Sequence, residues 1–205
     1  MPDGATLAAY DAGAAAYAAD WLAQEPPEDM YALLRAHFAP GPTADVGCGA
    51  GRDTAWLAAH GGFDARGFDA SAGLLAQARR AHPALRFDEA ALPGLDGVER
   101  GVFQNVLCET VVMHLEPAQV GPSVRSLLAL LKPGGVLYLS WRVTDDASTR
   151  DAAGRLYAAF DKALVTSALA PGDAILHDEE RVSVSSGRRV QRLIVRRRPG
   201  DRSPR

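Results

Sequence analysis

The segment Thr43-Ala44-Asp45-Val46-Gly47-Cys48-Gly49-Ala50-Gly51-Arg52-Asp53 places the end of a strand, a glycine-rich turn and the start of a helix in direct succession. Such a turn brings backbone N–H groups close to a bound nucleotide-like ligand, and it commits the chain to an α/β layer fold. The glycine spacing narrows the choice of ligand. A dinucleotide pyrophosphate wants G-x-G-x-x-G, whose third glycine lets strand and helix pack tightly. Here Gly47, Gly49 and Gly51 read G-x-G-x-G, and Arg52 stands where the third glycine belongs. Asp45 ends the strand, where a carboxylate favours a cation and opposes a phosphate. S-adenosylmethionine, with its ammonium and sulfonium, suits that charge better than a nicotinamide dinucleotide.

A second acidic residue falls where such a site needs one. After a helix over Asp53–His60 and the turn His60-Gly61-Gly62, the run Phe63–Asp69 reads as a second strand ending in a carboxylate. A carboxylate there can accept two hydrogen bonds from a ribose diol. The alternative is that Asp69 only caps the helix beginning near Ser71.

Five blocks follow in order over residues 43–142: DVGCGAGR, GFDAS, RFDEAALPGL, FQNVLCETVVMHLEP and LLKPGGVLYLSWR. Together they resemble the signature blocks of the class I S-adenosylmethionine-dependent methyltransferases. The GCGAGRD form is also similar to the tellurite-resistance and thiol methyltransferase branch. The resemblance implies a doubly wound, mostly parallel seven-stranded Rossmann-like sheet with an antiparallel C-terminal hairpin, and the cofactor across the carboxyl ends of the first strands. By position Asp45, Gly47 and Gly49 would hold the methionine part, Asp69 the ribose, and Asp88 the adenine amine, with Glu89 competing for that role. Cys48, Arg52, Ala70 and Cys108 fall within or beside the same blocks as cofactor-binding candidates. The two cysteines form neither a disulfide framework nor a zinc pattern, and also read as small buried residues. Where the family has an acidic residue after the aromatic of the fourth block, Gln104 follows Phe103.

The implied chemistry is in-line methyl transfer, with a general base needed only if the nucleophile arrives protonated. Candidates for that base follow the fourth strand: His114, with its near-neutral intrinsic pKa, and Glu109, which could instead hold a cationic acceptor. Trp141 and Arg142 end the fifth strand at the rim where a doubly wound sheet places its ligand. Arg142 and Arg52 could each bind an anionic group or serve as ordinary surface charges. Tyr10 and Tyr17 lie on one face of the first helix with Leu7, Ala14 and Trp21. That stripe is a packing face or an aromatic cover over the methyl group.

Absences narrow the acceptor. No Asn/Asp-Pro-Pro-aromatic turn follows the fourth strand, where Leu107-Cys108-Glu109-Thr110 stands, and no Pro-Cys nucleophile for a pyrimidine carbon is present. A small-molecule O, N or S nucleophile is the expected acceptor. The rivals are an RNA methyltransferase and a non-catalytic cofactor-binding protein. Residues 188–205 hold eight arginines and one aspartate, +7, against −10 in the remainder. That tail reads as a charged edge strand and frayed end rather than a nucleic-acid arm. His177-Asp178-Glu179-Glu180 alternate faces in a hairpin strand, and no metal is expected.

At 205 residues with 47% hydrophobic content, the chain suits one domain: helices over 1–42, an α/β core over 43–198 and a tail over 199–205. Neither a long apolar span nor a basic-then-apolar leader is evident, so a cytoplasmic monomer or homodimer, with no membrane partner, is expected. The remaining elements are helices over Ala5–Gln24 and Glu28–Phe38, strands Leu85–Phe87, Val102–Leu107 and Val136–Trp141, and a helix from Pro122 to Leu131. An amphipathic helix is expected from about Thr149 to Ala168, then hairpin arms Ala174–Val184 and Arg189–Arg197.

Overall fold

The computed structural model describes residues 3–144, 147–184 and 186–200. Among them a seven-stranded sheet has the order β3-β2-β1-β4-β5-β9-β8. Its strands are β1 Gly41–Val46, β2 Phe63–Asp69, β3 Arg86–Glu89, β4 Phe103–Cys108, β5 Leu131–Arg142, β8 Ala174–Val182 and β9 Arg189–Arg196. Strands β1 to β5 pair in parallel, and β9 runs antiparallel to both neighbours. The order reverses between β1 and β4, where the connections leave to opposite sides and open a crevice at the strand ends.

Helices cover the sheet because its central strands are apolar on both faces. Leu107 of β4 and Tyr138 of β5 pack on one side with Met30, Tyr31 and Leu34 of helix α3, Glu28–His37. Val106 and Leu137 pack on the other with Val124 and Leu127 of helix α6, Pro117–Leu130. Helix α3 carries Glu28 and Asp29 in its first turn and Arg35 and His37 in its last, matching the helix dipole. Helix α4, Arg52–Ala59, follows the glycine turn, and helix α5, Ala72–Ala81, is capped by Ser71, whose hydroxyl accepts from the Leu74 N–H.

Several expectations from sequence are corrected. The first helix is two, α1 Gly4–Ala12 and α2 Ala14–Ala23, broken at Gly13. A Cβ at Gly13 would come within 2.7 Å of the Tyr17 ring, so the glycine lets that ring pack against the break. Pro122 does not open α6: Pro117 does, and Pro122 lies inside it. The Lys132–Gly135 turn is absorbed into β5 as a register shift against β4. The Thr149–Ala168 helix is absent. In its place stand the two-residue strands β6 Thr149–Arg150 and β7 Leu156–Tyr157 and one helical turn, α7 Ala163–Thr166. The Asp151 carboxylate accepts from the N–H groups of Ala153 and Arg155, and Gly154 sits at φ +89°, so this backbone is bonded into a turn instead of a helix. Nor is β9 an edge strand. It is buried between β5 and β8, and Arg192 at its centre is 1% exposed; β8 is the charged edge. Of the expected tail, residues 201–205 lie outside the described residues.

The glycine turn is tied to its neighbours by backbone. The N–H groups of Gly47 and Cys48 both donate to the Phe68 carbonyl, at 2.7 and 3.0 Å. Gly47 has φ +80°, and a Cβ there would stand 2.1 Å from Val111 Cγ2. Just before the turn, Asp45 is buried and accepts from Thr54 Oγ1 at 2.6 Å, joining β1 to α4. Burial, with the nearby Asp53 charge, pushes the Asp45 carboxyl up to about 8, against which the Thr54 bond acts.

Replacing Gly47 by alanine combines a left-handed backbone with a clash, and a loss of at least about 2 kcal/mol in chemical denaturation is expected; a loss near zero would mean the turn tolerates a side chain. The Asp45 carboxyl binds its proton more tightly folded than unfolded, so its contribution falls as pH rises from the ordinary carboxylate value of 3.8 to about 8. The stability advantage of Asp45→Asn over the wild type should therefore grow across that interval in pH-resolved melting and level off above it.

Candidate active site

The carboxyl ends of β1, β2 and β4 face two adjoining cavities. The first, of about 150 Å³, is an apolar slot between Leu74, Ala90, Leu92, Val111 and Leu115, with Asp69, Ala70 and Ser71 along one side. The second, of about 530 Å³, is polar and is lined by Arg52, Asp53, Arg142, Arg155, Tyr157, Ser183, Ser186 and Arg188, among others. Tyr10, Trp21, Gly47, Gly49, Glu109, Thr110 and His114 border both. Helices α1 and α2 cover the junction: a Cβ on Gly49 would stand 2.7 Å from the Trp21 ring.

Asp69 is fixed by backbone. One carboxylate oxygen accepts from Gly49 N–H and the other from Ser71 N–H, each at 2.8 Å. Burial raises its pKa, and these two donors oppose the rise. Each oxygen keeps a further lone pair, so the carboxylate can still accept from a diol. The site thus joins an apolar slot to a fixed carboxylate acceptor and a turn rich in N–H donors.

Glu109 stands in the wall shared by the cavities. It accepts a very short hydrogen bond from Ser140 Oγ, and that oxygen in turn accepts from Thr110 N–H at 3.0 Å. Burial, reinforced by the Asp53 charge, raises the Glu109 pKa against the Ser140 bond. Thr110 holds φ +53°, a left-handed conformation unfavourable for a β-branched residue and concentrated at functional sites.

His114 is held at both ring nitrogens. Its Nδ1 lies 2.5 Å from the Leu156 carbonyl, an acceptor only, so Nδ1 carries the proton and Nε2 presents its lone pair. Tyr10 OH lies 2.9 Å from that lone pair and donates to it. Burial lowers the His114 pKa below 6.5 and raises that of Tyr10. The Arg155 guanidinium, paired with Asp151 at 2.7 Å, lies over the rings of Tyr17 and Tyr10 at 4.7 and 5.2 Å.

The residues singled out from sequence divide by place. Gly47, Gly49, Asp69, Ala70, Cys48, Arg52, Glu109, His114, Tyr10 and Arg142 all reach a cavity. Arg52 does so while forked onto Asp53, at 2.9 and 3.0 Å. Asp45 lies beneath the turn on Thr54, and Asp88 is turned to Arg66 Nε at 2.7 Å. Glu89 is exposed; the residues after β3 that line the slot are Ala90, Ala91 and Leu92. Cys108 is buried in the core, and Trp141 packs on Phe160 at 5.6 Å. Tyr17 supports Tyr10 from behind at 5.2 Å. Burial raises both thiol pKa values. Sequence reasoning missed Arg155 and Tyr157 as site residues, because a helix over 149–168 put Tyr157 on a packing stripe; Gly154 was the one local signal against that helix.

The family profile described as "Methyltransferase domain" matches residues 44–135. A comparison with curated protein sequences returns no match. Among solved structures, the Burkholderia thailandensis 1,6-didemethyltoxoflavin-N1-methyltransferase, with 1,6-didemethyltoxoflavin and S-adenosylhomocysteine bound, is similar at a TM-score of 0.74 and 22% identity, over 95% of this chain and 88% of that one. Haemonchus contortus phospholethanolamine N-methyltransferase 2 is similar at 0.69 and 12% identity, over 92% of this chain and 57% of that one. An S-adenosylmethionine-dependent methyltransferase from Methanosarcina mazei is similar at 0.68 and 16% identity, over 82% and 97% respectively. At these identities the likeness is one of fold. The chain therefore carries a methyltransferase domain over residues 44–135, on the fold shared by these S-adenosylmethionine-dependent methyltransferases.

Proposed function

We propose that the protein methylates an O, N or S nucleophile of a small molecule bound in the second cavity. The observation that carries this reading is the concavity of that cavity, walled by Tyr10, Trp21, Asp151, Arg155, Tyr157, Ser183, Ser186 and Arg188. A cleft of about 530 Å³ suits a metabolite-sized acceptor. The small molecule bound to the Burkholderia thailandensis relative supports the same class. Among the described residues, no helix is long and apolar enough to cross a membrane.

S-adenosylmethionine supplies the sulfonium-activated methyl group. Asp69 would hold the ribose diol, the apolar slot would take the adenine, and the Gly47–Gly49 turn with Glu109 would receive the amino-acid part, whose ammonium favours the Glu109 carboxylate. The protein's larger contribution is alignment of donor and acceptor. For a protonated nucleophile, Tyr10 is the contact: its oxygen accepts the acceptor's proton as its own proton passes to His114 Nε2. The Leu156 carbonyl keeps His114 in the tautomer that this transfer requires.

An acceptor panel read by S-adenosylhomocysteine release, with structured RNA beside the small molecules, tests the assignment; methylation confined to RNA would overturn it. Asp69→Ala should weaken S-adenosylhomocysteine about tenfold or more in calorimetry, since hydrogen bonds to a charged group are lost. An unchanged affinity would remove Asp69 from the ribose. His114→Gln and Tyr10→Phe should each lower kcat at least about a hundredfold for a protonated acceptor, with cofactor affinity kept. Because burial depresses the His114 pKa, the wild-type activity should hold down to pH 6.5 and fall only below it, as the ring takes up a proton. Full turnover by His114→Gln would show that no base is used.

A further inference from the structure

We propose that the methyl acceptor is an anion, its carboxylate or phosphate gripped by Arg142 and Arg188. The proposal rests on the acceptor occupying the second cavity. Four guanidiniums line that space: Arg52, Arg142, Arg155 and Arg188. Two are already neutralised. Arg52 is forked onto Asp53, and Arg155 is paired with Asp151 at 2.7 Å. The third lining carboxyl, Glu109, is engaged by Ser140 on the cofactor side.

Arg142 and Arg188 are left without a carboxylate partner among the described residues. Arg142 is half-buried at the end of β5, its guanidinium 4.8 Å from the Tyr157 ring centre. The ring covers one side of the guanidinium and offers no hydrogen-bond acceptor, so the N–H fork keeps its capacity for a carboxylate or phosphate, which it fits bidentately. Arg188 stands exposed at the rim, where a guanidinium steers an anion inward. A bound sulfonium would add a further positive charge to the same space. A concave wall with two uncompensated cations beside a third is electrostatically complementary to an anion and repels a cationic acceptor.

The position suits the chemistry. The Tyr157 ring centre lies 4.8 Å from the Arg142 guanidinium and 5.1 Å from the His114 ring. An anionic group held by Arg142 therefore leaves the remainder of the acceptor within reach of the His114–Tyr10 pair. Tyr157 joins the two ends, with Arg142 at 4.8 Å and Arg155 at 5.9 Å from its ring centre.

The test uses the full chain saturated with S-adenosylhomocysteine and three probes: benzoate, phenyl phosphate and neutral benzamide, titrated by calorimetry. Millimolar binding of at least one anion and none of benzamide is expected, and the preferred anion tells carboxylate from phosphate. Arg142→Gln should weaken that anion about tenfold and Arg142→Lys by less, with S-adenosylhomocysteine affinity unchanged in both. Arg188→Gln, a change at an exposed rim position, should weaken it as well and serves if Arg142→Gln does not fold. Benzamide binding as tightly as benzoate, no binding of any probe, or anion binding unchanged in both glutamine variants would overturn the proposal. Failure of the wild type to bind S-adenosylhomocysteine would instead overturn the cofactor reading beneath it.

Discussion

The Phe68 carbonyl receives two N–H groups from the neighbouring strand's turn, Gly47 and Cys48, and the next residue, Asp69, receives a third from Gly49. These three bonds lock the exits of β1 and β2 into one rigid edge. Everything the site does depends on that edge: it fixes the carboxylate, sets the floor of the apolar slot and starts α4 and α5 at defined angles. The geometry is possible because Gly47 and Gly49 adopt positive φ and carry no Cβ where Val111 and Trp21 stand. The left-handed backbone strain at Thr110 faces the same edge from β4, anchored by Ser140 of β5.

Behind the site lies a less settled cluster. Arg192, almost wholly buried on β9, reaches Asp29 at 2.9 Å and Glu179 at 3.7 Å, while its Nε and Nη1 and the Tyr138 hydroxyl make no hydrogen bond. Asp29 also lies 3.6 Å from Arg181, so the cation is held to α3 and β8 by a shared carboxylate. A buried guanidinium with only part of its hydrogen-bonding capacity met contributes little net stability, and removing Asp29 would cost more than the pair provides. It does fix which strand lies between β5 and β8, because a misplaced β9 would strand the charge.

The sequence carried the cofactor half of this architecture openly. Strand, glycine turn, second strand and carboxylate are local features whose spacing is set by backbone geometry, and Gly47, Gly49 and Asp69 stand where that spacing required. The acceptor half was obscured because its elements depend on tertiary contacts. Tyr157 and Arg155 followed a helical spacing, but the Asp151 turn and the Leu156 carbonyl's contact with His114 override it. The arginines of residues 188–196 suggested an edge because composition does not reveal that β8 pairs outside them. Asp88 occupied the family position for adenine, yet Arg66, opposite Arg86 rather than Asp88 in the ladder, still reaches its carboxylate.

Beyond the glycine turn and the start of α4, the second cavity takes its walls from three stretches that contribute little to the sheet: the helices before β1, the segment between β5 and β8, and the turn between β8 and β9. The helices before β1 also line the first cavity, through Thr6, Leu7, Tyr10 and Trp21, whereas the other two stretches line the second alone. Substitutions and insertions in those two stretches can therefore reshape the second cavity while leaving the first untouched. A lineage built on this plan can change substrates by drift at its margins, with the shared residues at the junction as the only positions where selection for old and new chemistry must agree.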